Sequence, residues 1–105
     1  MKPLIYGYVR VTEDMQDTEV RSMEQELTTY ADAEGYCLGT IFYEYDNGSQ
    51  AAFAELLHEL QRAEAHHVVV HSLEQLAESQ VLQTLMVDQV ELEAGAAIHE
   101  TADAC

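Results

Sequence analysis

Four short runs rich in β-branched and aromatic residues recur along the chain: "LIYGYVRV" (4–11), "LGTIFYEY" (38–45), the "VVV" within "HHVVVHS" (66–72), and "AAIHE" (96–100). Each reads as a strand. Between them, apolar residues fall at helical spacing. Val20, Met23, Leu27, Tyr30 and Ala31 predict a first helix over residues 16–34, closed by Gly35. Phe53, Leu56, Leu57 and Leu60 predict a second, with "DNGS" (46–49) as a turn and Ser49 as its cap. "LEQLAES" (73–79) reads as one or two helical turns. Val81, Leu82, Leu85, Met86 and Val90 mark a third full helix ending near Gly95. Parallel neighbours in a sheet need a crossover connection, usually a helix. Strict alternation of the two patterns therefore predicts an α/β three-layer sandwich with a mainly parallel four-stranded sheet. With one proline, Pro3, and no linker or repeat, residues 1–105 are expected to form a single domain.

Charge constrains partners more than fold. The chain carries 20 acidic residues against 4 basic ones, a formal charge of −16. Lys2, Arg10, Arg21 and Arg62 are the only Lys and Arg residues, and none follows Arg62. Nucleic-acid binders neutralise phosphates with such cations. DNA binding by this chain alone is therefore not expected, nor is attraction to an anionic membrane. No apolar run reaches the roughly 18 residues of a membrane span. The N-terminus runs straight into a strand without a signal peptide, so a soluble, cytoplasmic protein with reduced thiols is expected. Cys37 is expected in the core at the start of a strand, and terminal Cys105 at the surface.

In open α/β sheets, ligands bind beyond the carboxyl ends of the strands. That rule gathers Arg10–Thr12, Tyr45–Ser49 and His71–Glu74 along one edge. His66, His67 and His71 cluster around the third strand, with His67 and His71 on one face of an extended segment. They lack a third ligand at metal-binding spacing, so no metal is expected. Tyr6, Tyr8, Tyr43 and Tyr45 alternate on the first two strands. Sheet packing with rim hydroxyls explains them better than a base-stacking platform, which would need cations. "DNGS" lacks the glycines and lysine of a phosphate loop. No cofactor is expected.

"YGYVRVTED", Gln25 in "MEQEL", "YADAEGY", "EYDNGS", "FAELLHEL", "VVVHSLEQLAES" and "LEAGAAIHE" follow one another in order. In that order the chain resembles the N-terminal catalytic domain of the serine recombinases, the resolvase/invertase family, over roughly residues 4–99. The resemblance implies a resolvase-like fold. It also implies a nucleophile at the end of the first strand that attacks a DNA phosphate, with arginines steadying the charged transition state.

Carried over residue by residue, the family's Tyr-x-Arg-Val-Ser stands here as Tyr8, Val9, Arg10, Val11 and Thr12. Arg10 matches, and Thr12 occupies the nucleophile position. An arginine expected three residues before Phe53 is Gln50. The family's Leu-Asp-Arg-Leu-x-Arg reads Leu73, Glu74, Gln75, Leu76, Ala77, Glu78, so aspartate has become Glu74 and two arginines have become Gln75 and Glu78. Of four cations facing the phosphate, only Arg10 remains. Loss of one preorganised donor typically lowers rate on the order of 10²–10³-fold. Apart from Arg10, neither base nor cation is expected near Thr12. The family's long dimer helix and DNA-binding domain are expected to be lacking.

The expected function is a catalytically inactive recombinase-like domain acting as an acidic protein-interaction or regulatory module. Its expected partner is a protein, for instance a basic DNA-binding one, with a homodimer as the simpler version. The alternative is a DNA strand-transfer enzyme using Thr12.

Overall fold

The first strand, β1 (Leu4–Arg10), leads into α1 (Asp17–Glu34), β2 (Cys37–Glu44), α2 (Ala51–Ala63) and β3 (His67–Val70). A 3₁₀ turn (Leu73–Gln75), α3 (Gln80–Ala94) and β4 (Ala97–Glu100) complete the order. This computed structural model describes residues 2–45, 50–77 and 79–101. The predicted turn at 46–49, the Ser49 cap, Glu78 and Cys105 lie outside the described residues.

All neighbouring strands pair in parallel, in the order β2-β1-β3-β4. The fold is thus the α/β class expected. Alternation along β1 sorts its side chains between two cores. Ile5 and Val9 pack with Leu27, Ala31 and Val69 beneath α1. Tyr6 and Tyr8 pack with Phe53, Leu56, Leu60, Val68, Met86 and Val90 beneath α2 and α3. β1 and β3 are apolar on both faces because helices cover both. Gly35 (φ 81°) and Gly95 (φ 61°) close α1 and α3 in the left-handed region, where glycine lacks the Cβ penalty.

One expectation is corrected. Cys37 does begin β2, but it is exposed and not in the core. β2 is an edge strand, and much of its N-terminal half stays open to solvent. The apolar residues that mark α3 do not all face inward. Met86 and Val90 are buried, while Val81 and Leu85 are exposed.

Candidate active site

The strand order reverses between β1 and β3, the place beyond the strand ends where open α/β sheets bind ligands. Arg10 ends β1 there and is itself buried. Its Nε donates to the Gln75 carbonyl at 3.2 Å, and its Nη2 to the Leu76 carbonyl at 2.7 Å. Nη2 also reaches the Tyr8 hydroxyl at 3.3 Å. The Arg10 backbone N–H donates to Gln75 Oε1 at 3.0 Å. The guanidinium therefore ties the end of β1 to the 3₁₀ turn and the residue after it.

Tyr8 carries the network onward. Its hydroxyl donates to Glu44 Oε1 at 3.0 Å. The same oxygen accepts the backbone N–H groups of Ala52 at 3.1 Å and Phe53 at 3.3 Å, and Oε2 accepts that of Ala52 at 3.2 Å. Glu44 is buried, and its carboxylate caps α2, whose first N–H groups have no partner within the helix. Burial pushes the Tyr8 phenol up; Arg10 opposes that shift, and Glu44 reinforces it. Sequence reasoning missed Glu44. The available signal was an acid at the last position of an apolar strand, just upstream of a helix start.

Thr12 has different partners. Its hydroxyl donates to Asp14 Oδ1 at 2.6 Å, and its backbone N–H meets Met15 Sδ at 3.4 Å. The expectation of no base near Thr12 is thus corrected: the carboxylate of Asp14, two residues on in the same loop, is hydrogen-bonded to the hydroxyl. That bond and a backbone one hold Asp14 below the usual carboxylate range, which weakens it as a base. Gln50 is the N-cap residue of α2 but supplies no side-chain cap; its Nε2 lies 3.9 Å from Met86 Sδ. Glu74 sits exposed on the 3₁₀ turn. The structure thus joins Arg10 and Gln75 directly and sets Gln50 beside the helix end that Glu44 caps. Glu78 lies outside the described residues.

The model of the resolvase N-terminal domain matches residues 5–104. The chain belongs to this family. No curated protein matches the sequence of this resolvase domain. Among solved structures it is similar to the C-terminal catalytic domain of ISC1926 TnpA, an IS607-like serine recombinase. The TM-score is 0.79 at 17% identity, over 95% of this chain and 70% of that one. It is also similar to the N-terminal catalytic domain of TP901-1 integrase, with TM-score 0.75, 20% identity, and coverage of 93% and 76%. At such identities the likeness concerns the fold.

Within the resolvase domain, Gln75 makes a bond that the family's arginine could not. Arginine has no acceptor, whereas the Gln75 amide oxygen satisfies the Arg10 N–H. Gln75→Arg should therefore lower stability by about 1–3 kcal/mol, the effect of leaving a partly buried donor unpaired. Urea denaturation of the two proteins checks this.

The histidines group differently from the sequence expectation. His67 Nδ1 lies 3.1 Å from His99 Nε2, and His99 Nδ1 lies 3.0 Å from the Tyr30 hydroxyl. Tyr36 packs against both rings. His71, the expected face-mate of His67, instead pairs with Glu26, which also accepts from Thr101. Among the described residues, no three His, Cys, Asp or Glu side chains converge as metal ligands. Burial and then His66 lower the His67 pKa; burial and then His67 lower that of His99, against an opposing pull from Glu34. The unfolded chain therefore binds more protons than the folded one below the ordinary histidine value. The stabilising contribution of this pair is complete above pH ~6.5 and falls as the pH drops toward the folded values. The double variant His67→Gln/His99→Gln should lose less melting temperature than wild type between pH 7.5 and 5.5.

A shallow groove of about 360 Å³ is lined by Phe42, Ala54, Glu55, His58 and Glu59. It shares no residue with the Arg10 network. Among the described residues no helix is long and apolar enough to cross a membrane.

Proposed function

We propose that this resolvase domain is a catalytically inactive, acidic protein-interaction module that acts in the cytoplasm. The observation that carries this reading is the use of Arg10. The one cation retained from the family set donates into the chain's own carbonyls at Gln75 and Leu76. Support also comes from the N-terminus of α2, a natural seat for a phosphate, whose N–H groups bind Glu44. Gln50 and Gln75 add no positive charge, and Glu78 stands where the family resemblance places an arginine. At −16, the domain would be steered quickly to a partner with a basic surface, such as a DNA-binding protein. Anisotropy of a labelled DNA duplex at low salt tests the reading. Flat titration is expected; saturable binding at low salt would overturn it.

One observation favours a second reading, strand transfer from Thr12. Its hydroxyl is already hydrogen-bonded to a carboxylate. In that reaction Thr12 Oγ1 would attack the phosphorus of a DNA phosphodiester, its proton would pass to Asp14, and a deoxyribose oxygen would leave. The lowered pKa of Asp14 and the loss of three cations weigh against it.

A further inference from the structure

We propose that His67 and His99 form a two-histidine chelate for a divalent cation of the zinc type. His67 opens β3, and His99 lies in β4, its parallel neighbour. Both side chains stand on the α1 side of the sheet, the face of Val69. Tyr8 and its part of the Arg10 network pack on the other face. The two histidines are 32 residues apart in the chain, so no ligand spacing marks them in the sequence.

The geometry of the pair suits a metal. His67 Nδ1 and His99 Nε2 are 3.1 Å apart. Two Zn–N bonds of about 2.0–2.1 Å closing on that separation would enclose an angle of roughly 100°, near the tetrahedral value. A neutral imidazole carries its proton on either nitrogen. With the His67 proton on Nε2 and the His99 proton on Nδ1, both rings turn a lone pair into the gap between them. The Tyr30 hydroxyl lies 3.0 Å from His99 Nδ1, where it can accept that proton and hold the ring in the ligating tautomer. Tyr36 packs against both rings, with centroids 4.7 and 5.5 Å away, and restrains their rotation. Burial favours the neutral form of both rings, the form that binds metal. Glu34 is close enough to act on His99, and its negative charge favours a dication there. Two protein ligands leave the other coordination positions to water, as at an open zinc site.

The probe is Zn²⁺, titrated by calorimetry into wild type, His67→Gln, His99→Gln and His71→Gln. Cys37 and Cys105 are common to all four, so the differences read the histidines. One ion per chain is expected, bound at least about tenfold more weakly when either His67 or His99 is replaced and unchanged in His71→Gln. Tyr30→Phe should weaken binding roughly tenfold while leaving both ligands in place. In wild type, Zn²⁺ should shift the imidazole C–H proton resonances of His67 and His99 before those of His58 and His71, a readout that needs no variant to fold. No binding would overturn the proposal and leave the rings as a hydrogen-bonded pair. Equal affinity in wild type and the His67 and His99 variants, or first shifts at His58 or His71, would overturn it too. So would a Zn²⁺-dependent dimer in light scattering, since the ion would then bridge two chains. Arg10 and Thr12 take no part, so none of these results bears on the inactive reading.

Discussion

Arg10→Ala is expected to lower folding stability by about 3 kcal/mol, a large loss for one side chain of a small domain. The substitution strips the Gln75 and Leu76 carbonyls of their donor and empties a buried volume beside Tyr8. Arg10→Lys should recover only part of the loss. An ammonium can reach one carbonyl but lacks the planar fork that spans both carbonyls and the Tyr8 hydroxyl. Chemical denaturation of the three proteins gives the comparison. An Arg10→Ala protein as stable as wild type would mean that the guanidinium is held ready for a ligand and does not brace the fold.

Glu44→Ala should destabilise by a similar amount, about 2–4 kcal/mol. It would leave the Tyr8 hydroxyl without its acceptor and the Ala52 and Phe53 N–H groups without a cap. Glu44→Gln keeps one acceptor oxygen and loses the charge that favours the positive end of α2, so about 1 kcal/mol is expected. The Tyr8 phenol should titrate at lower pH in either variant, because Glu44 helps hold it up. Ultraviolet difference spectroscopy of tyrosine ionisation, compared with the same measurement on Tyr8→Phe, isolates that shift.

The fold was legible because its signals are local. The alternation of Ile5 and Val9 with Tyr6 and Tyr8 is a period-two pattern with both faces covered, as found. The spacing of Leu27 and Ala31, and Gly35 after them, placed α1 almost to the residue. The site was legible only as a set of positions. Arg10 and Gln75 stand 65 residues apart, and no periodicity links them. Glu44 was missed because a buried acid at a strand end is indistinguishable in sequence from an exposed one until its helix partner is in place. Asp14 was missed for a different reason: a polar loop offers no pattern to say which carboxylate meets which hydroxyl. The pairing of His67 with His99 depends on β4 lying beside β3, which the alternation of elements allows but does not dictate.

Val81 and Leu85 expose the limit of helical spacing as a guide to burial. Apolar residues encircle much of α3, so spacing announces the helix without saying which face is covered. The core beneath α3 covers the side of Met86 and Val90, and Val81, Leu85 and Leu92 stay exposed on the other.

The most direct test of an inactive site is a search for a covalent protein–DNA adduct. Wild type and Thr12→Ala would be incubated with end-labelled duplex DNA of random sequence and resolved on a denaturing gel, which retains only covalent links. No label above the Thr12→Ala background should travel with the protein. A labelled protein band present in wild type and lost in Thr12→Ala would contradict the proposal and make Thr12 a nucleophile.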